Sequence, residues 1–343
     1  MTIPSAAEPR DDGDARSSRV LLALLLVQVM FGSFPVVGKL ALAGIEPRGL
    51  LAVRVGGAAL IYAWLARRRG LFRVSGRDRL ELALYCILGV LVNQFLFLEG
   101  LARTVALNAS ILVTTIPVWT VALAVALRRE SLTWPKVCGL ALAIAGAFYL
   151  VGIDEFDLSQ EHAAGNAMVL LNGISYAVYL VLARNILRRL DPIVAAAWIF
   201  ALASLVAVPA GAPLLLEAVR AAPWSTWLWC LYVLLVPTVA AYLLNMWALR
   251  HVEASTVAIF IAVQPLVSGL LDWLVFGFLP SGRAGIAGIL IVGGVMLVNG
   301  RFGPGKGAEP RSLAEGARGG DAVHGPAMME QTTLTARHDN VTG

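Results

Sequence analysis

One stretch of this chain, Val105 to Val151, occurs twice. It reads VALNASILVTTIPVWTVALAVALRRESLTWPKVCGLALAIAGAFYLV. The second copy, Glu253 to Val298, reads EASTVAIFIAVQPLVSGLLDWLVFGFLPSGRAGIAGILIVGGVMLV. Each copy opens on small residues (Ala106 to Ser110, Ala254 to Thr256) and continues as an apolar helix with a central proline. A short polar turn follows, then a second apolar helix rich in glycine. Setting Pro117 on Pro265 aligns the two prolines. Each helix reads as long enough to cross a bilayer, which takes ~20 apolar residues. A repeated membrane hairpin marks a duplicated membrane protein, and the usual occupation of such proteins is transport.

Composition agrees. Of 343 residues, 58% are hydrophobic and 14% charged, and the mean hydropathy is +0.76. Soluble domains are about half apolar and a quarter charged, so an ordinary soluble fold is excluded. The net charge of +5 does not point to nucleic acid, because the arginines lie in short clusters between apolar runs, as topology determinants do. Cys86, Cys138 and Cys230 each fall inside a different apolar run, without metal-ligand spacing, and read as packing residues. No metal and no cofactor is expected. The apolar run from Val20 is too long for a signal-peptide core and lacks a small-residue cleavage pattern, so it reads as the first span.

The expected fold is an all-α integral membrane protein with ten spans: Val20–Ala41, Gly49–Ala66, Arg79–Leu98, Val105–Leu127, Pro135–Val151, Gly165–Ile186, Ile193–Ala210, Trp227–Leu249, Ser255–Phe278 and Ala284–Val298. The even-numbered loops hold the denser arginine clusters, and the fifth loop is acidic, with Asp154, Glu155, Asp157 and Glu161. The positive-inside rule then puts both termini in the cytoplasm, and the expected location is a bacterial inner membrane. The duplication reaches further forward: Pro47 set on Pro192 brings Lys39 onto Arg184 and Phe31 onto Tyr176, at an offset of roughly 145 residues. Five spans per half is an odd number, so the halves, 20–151 and 165–299, enter the membrane from opposite sides as inverted repeats. Residues 1–19 read as a polar cytoplasmic tail. Residues 303–343, rich in Gly, Ala, Pro, Arg and Glu, read as a disordered one.

With these segments in place, the chain resembles the drug/metabolite transporter superfamily, and within it the EamA-domain transporters. The resemblance rests on FGSFPVVGKLAL, on EPRGLLAVRVGGAAL, and on the pattern of Pro117, Glu130, Leu132-Thr133, Gly139 and Gly146, over roughly Val20 to Asn299. Two departures stand out. The second half has no counterpart of Glu130, and Phe31 occupies a position where the family often has Trp. The resemblance implies two inverted five-helix halves around a central cavity lined by helices one, three, four, six, eight and nine. Helices five and ten would sit at one edge. It also implies movement of small organic solutes, often outward: amino acids, related metabolites or drugs.

A site between helices needs polar groups at mid-membrane, where an unpaired one is costly. The residues that qualify as substrate-binding are Asn93 and Gln94 on the third helix, Thr115 on the fourth, and Asn172, Tyr176 and Tyr179 on the sixth. Tyr242 and Asn245 on the eighth and Gln264 and Ser268 on the ninth complete the set. For each, the alternative is a helix-to-helix hydrogen bond of ~0.6–2 kcal/mol. Phe31, Phe34, Phe97, Trp119, Trp247 and Trp273 are candidates for an aromatic lining or for plain packing. Pro117 and Pro265 are hinge candidates or static kinks. Lys39, Arg54, Glu99 and Asp272 are charges within spans: coupling residues that take up a proton, or structural ion pairs such as Glu99 with Arg103 and Arg54 or Lys39 with Asp272.

The function expected from this is secondary transport of a small-molecule substrate across the lipid bilayer, outward, by alternating access. No Walker-type nucleotide motif is present. A membrane enzyme would need a catalytic cluster inside the membrane, but His162, His251, His324 and His338 all fall in loops or the tail. A non-transporting sensor would call for a soluble domain or a large ligand-binding loop. The small residues of helices five and ten suit an internal contact or a homodimer face.

Overall fold

The computed structural model describes residues 12–70, 74–151, 159–276 and 283–299. The tail 303–343, most of the segment 1–19, Asp154, Glu155 and Asp157 of the acidic loop, and the side chain of Asp272 lie outside the described residues.

Among the described residues the chain forms ten helical rods and no strand. In order, α1 is Asp12–Gly32 resumed after Ser33 as Phe34–Leu42, and α2 is Pro47–Arg68. α3 runs as Gly76–Cys86, a π-helical stretch Ile87–Val92, and Asn93–Arg103. α4 is Ala106–Val113 resumed as Ile116–Ala126, α5 is Trp134–Val151, α6 is Gln160–Arg189 and α7 is Pro192–Ala221. α8 is Trp224–Val233, a π-helical stretch Leu234–Ala240, and Ala241–His251. α9 is Ala254–Ile259, a tighter turn Phe260–Val263, and Gln264–Phe276, and α10 is Arg283–Asn299.

Eight of these rods contain a stretch long and apolar enough to cross a bilayer, and α5 and α10 contribute shorter apolar helices. Large apolar side chains such as Leu60, Leu205, Ile289 and Met296 stand exposed on their outer faces. Helices that satisfy their own backbone and show hydrocarbon outward are what lipid admits. The chain is a multi-pass membrane protein.

Several rods outrun the apolar spans expected of them. α6 extends to Gln160 and Arg189, and α7 runs on to Ala221 through Pro209 and Pro213. The sequence reading ended that span at Ala210. A proline removes one donor and bends a helix without terminating it when its neighbours keep helical geometry.

The breaks fall at matching places in the two halves. The π-helical stretches of α3 and α8 begin at Ile87 and Leu234, and the helix restarts of α4 and α9 place Pro117 and Pro265 at the second residue of the resumed segment. A proline there gives up a donor that a helix start leaves unpaired anyway.

Equivalent rods pack on one another and run antiparallel. Along α2 and α7, Gly49 meets Leu215, Gly56 meets Val208 and Tyr62 meets Phe200. Along α5 and α10, Gly139 meets Gly294 while Gly146 meets Leu290. The end of α4, Ile116–Ala126, packs on the start of α9, Ala254–Ile259. The remaining contacts exchange partners between halves: α3 and α4 lie on α6, and α8 and α9 lie on α1.

Candidate functional site

Where the halves meet, side chains from α1, α2, α3, α4, α6, α8 and α9 surround a central chamber. Its polar wall is Arg54, Asn93, Gln94, Asn172, Tyr176, Tyr242 and Gln264, and its aromatic wall is Phe31, Phe34 and Phe97 beside the two tyrosine rings. Val113, Ile116, Ile261 and Pro35 complete it. The chamber holds about 70 Å³. Pockets for small organic ligands enclose ~300 Å³ or more. This chamber is smaller than that, with room for a few waters.

The polar wall is cross-braced. Asn172 Nδ2 donates to the Asn93 carbonyl at 2.8 Å, and Asn93 Nδ2 returns a bond to the Asn172 carbonyl at 3.4 Å. The Tyr242 hydroxyl is shared between Asn93 Oδ1 and the Gly89 carbonyl, 3.2 Å from each. Gln264 Nε2 donates to Gln28 Oε1 at 2.8 Å and so ties α9 to α1. Gln94 is the exception. It is 2% exposed, and among the described residues neither its amide nitrogen nor its amide oxygen has a hydrogen-bond partner. It approaches the Tyr242 hydroxyl without reaching bonding geometry.

Arg54 enters from α2, a helix not among those expected to line the chamber. It is 2% exposed, its Nε donates to Thr238 Oγ1 at 2.8 Å, and its guanidinium carbon lies 4.1 Å from the Phe34 ring centroid. Phe34 in turn stacks on Phe97 at 5.0 Å between centroids. Among the described residues no carboxylate pairs with Arg54.

The other sequence candidates lie outside the chamber wall. Tyr179 stacks behind Tyr176, and Asn245 Nδ2 donates to the Tyr176 hydroxyl at 2.9 Å, so both support a wall residue from the rear. Ser268 Oγ donates to the Gly32 carbonyl at 2.7 Å and holds α9 against α1. Thr115 Oγ1 bonds its own helix at the Leu112 carbonyl, at the break of α4. Trp119 and Trp273 are exposed, and Trp247 packs on His251. Glu99 is buried but paired with Arg103 and, at 3.3 Å, with Arg48 at one end of the bundle. Lys39 is half-buried with no carboxylate beside it among the described residues. Asp272, its expected alternative partner, has no described side chain.

Three contributors escaped the sequence reading. Gln28 was passed over in the first apolar run, although a glutamine there is itself a signal. Thr238 and Tyr62 were passed over because a threonine and a tyrosine in apolar helices are unremarked. Here Thr238 receives Arg54, and Tyr62 donates to the Val239 carbonyl at 2.6 Å.

Comparison with known proteins gives the family. The model of the EamA-like transporter family matches residues 18–152 and again 163–300. An uncharacterized transporter of Archaeoglobus fulgidus is 31% identical over 288 residues, covering 82% of this chain and 96% of that one. A protein of Streptantibioticus cattleyicolor, named a probable terminal-alkyne amino-acid exporter, is 26% identical, with 83% of this chain and 94% of that one covered. One solved crystal structure superimposes with a TM-score of 0.66 at 20% identity, over 83% of this chain and 98% of its own. With its family pattern matched once in each half and its relatives named transporters, the chain belongs to the EamA-like transporter family.

Proposed function

We propose that this protein is a secondary transporter of the bacterial inner membrane that exports small organic metabolites, amino acids or related compounds, by alternating access. In this reading ten helices span the membrane as two inverted five-helix halves, with both chain ends in the cytoplasm. The observation that carries it is the central chamber, built jointly by both halves from buried polar and aromatic side chains. The antiparallel pairing of α2 with α7 and of α5 with α10 supports the inverted arrangement, because equivalent helices of parallel repeats would point the same way. An open groove of about 660 Å³ between α1, α7 and α8, at the end that carries Arg19 and Arg69, supports access from the arginine-rich side. The exporter name of one relative favours amino-acid-like cargo.

The test is counterflow of labelled amino acids and related metabolites in proteoliposomes, with export from cells checked by metabolite profiling of medium with and without the protein. Exchange of at least one solute class above empty liposomes is expected. No exchange across such a panel would remove transport, and termini found on opposite sides by accessibility labelling would remove the inverted ten-span arrangement.

A further inference from the structure

We infer that the chamber receives a carboxylate: Arg54 is the anion receptor, the Gln94 amide supplies a second contact, and the Phe31–Phe34–Phe97 wall takes an apolar or aromatic body. The inference deepens the transport reading and rests on it.

The argument starts from the cost of burial. An arginine cannot shed its proton in a protein, so Arg54 brings a permanent charge between apolar helices. Such a charge is normally met by a carboxylate. Here the described residues offer one hydroxyl, Thr238 Oγ1, to Nε, and one ring face, Phe34, to the guanidinium plane. Both contacts fix the orientation of the fork without neutralising it. Among the described residues neither terminal nitrogen of the guanidinium has a hydrogen-bond partner, and the residue borders the chamber. A planar fork with free terminal donors matches a carboxylate bidentately.

Gln94 provides the independent observation. It sits on the same wall with both amide atoms unpaired. A buried primary amide without partners is costly and is rarely kept unless something pairs with it in another state. Its nitrogen can donate to the second carboxylate oxygen. Its oxygen can accept from an ammonium or hydroxyl on the same solute.

The chamber's described wall holds no acidic side chain. A cation would face Arg54 with no counter-charge, so amines are disfavoured. An apolar monocarboxylate, or an amino acid whose ammonium rests on Gln94 and an aromatic face, is favoured. Phosphates and dicarboxylates would carry more charge than one guanidinium answers.

The experiment uses the full chain in proteoliposomes and in detergent. Phenylpropionate, its amide and phenethylamine compete against a transported solute, and the same three are tested for thermal stabilisation of the purified protein. Wild-type protein is expected to prefer the acid over the amide and the amine by at least tenfold. Arg54→Gln should erase that preference, and Arg54→Lys should restore part of it. Because the wild-type ranking needs no variant, a misfolded Arg54→Gln leaves the test intact. Equal or better competition by the amide or amine overturns the inference while transport stands. Acid-specific stabilisation without any transport would support the anion site and remove the transport reading. Absence of both competition and stabilisation by the acid overturns the inference.

Discussion

The Tyr242 hydroxyl donates to the Gly89 carbonyl oxygen at 3.2 Å, a bond between opposite repeats. Gly89 lies in the π-helical stretch of α3. A π turn moves the backbone bond one residue further back and leaves a carbonyl without its usual partner. The preceding carbonyl, Leu88, accepts from Ser175 Oγ of α6 at 2.8 Å. The second half repeats the device: in the π-helical stretch of α8, the Val239 carbonyl accepts the Tyr62 hydroxyl at 2.6 Å. Each half thus satisfies the irregular backbone of the other, beside the chamber.

Removing either hydroxyl should therefore weaken the contact between halves. Tyr242→Phe and Tyr62→Phe each leave a buried carbonyl unmet, at roughly 1–3 kcal/mol. Thermal unfolding of the purified protein should show both variants less stable than wild type. Tyr242→Phe should also reduce transport, since Tyr242 borders the chamber and Tyr62 does not. Equal stability of all three proteins would mean that other donors replace these hydroxyls.

Glu130 forms a second bond between halves, at the end of α4. Its side chain is 4% exposed, accepts from Lys136 Nζ at 3.0 Å, and accepts from the Ser255 backbone N–H at the start of α9, 3.2 Å away. Lys136 also reaches Glu253 at 2.6 Å. A carboxylate at a helix start meets free N–H groups and the positive end of the dipole. Glu130→Ala leaves the lysine half-compensated and the α9 start uncapped, and should cost about 2 kcal/mol. Glu130→Gln keeps an acceptor for Ser255 and should cost less. Chemical or thermal unfolding orders the three proteins, and an alanine variant as stable as wild type would dismiss the cap.

How far these features could be read in advance differs by kind. Eight long spans, the duplication and the breaks at Pro117 and Pro265 were legible because long apolar runs and prolines are local signals, and Glu130 was visible as a family residue. Its partner Ser255 was not, since nothing at residue 130 says which helix start it will meet. The same gap divides the polar candidates. Gln94 and Asn245 look alike in sequence, yet one borders the chamber and the other stands behind Tyr176, because helix rotation is set by packing among all neighbours. Arg54 or Lys39 was expected to meet Asp272, whose side chain lies outside the described residues; the contacts of Arg54 with Thr238 and Phe34 had no signal in the sequence. The π-helical stretch Ile87–Val92 left no mark, being as apolar as the helix turns around it, whereas the stretch Leu234–Ala240 carries Pro237, a visible sign of a kink.

The α5–α10 pair gives a prediction about backbone contact. A methyl group on Gly139 would stand 2.6 Å from the Gly294 carbonyl oxygen, whereas one on Gly288 would meet nothing within 4 Å. Close approach of this kind is what small residues permit between membrane helices. Gly139→Leu should lower thermal stability and leave the oligomeric mass in detergent unchanged, and Gly288→Leu should leave stability unchanged. A mass change in Gly139→Leu would instead make this glycine face part of a dimer contact.

Glu99 tests where proton coupling resides. It is held by Arg103 one turn on and by Arg48 Nε at 3.3 Å, and neither arginine borders the chamber. Thr104, next along the chain, donates to Asn166 Oδ1 at 2.7 Å, so this end of α3 is fastened to α6 as well. A carboxylate between two cations, away from the chamber, reads as a fastener. Both arginines are about half exposed, so each pair contributes only ~0–1 kcal/mol. Glu99→Gln should therefore fold and keep the wild-type pH dependence of counterflow. A flattened pH profile in this variant would give Glu99 the proton step and demote its arginines to tuning groups.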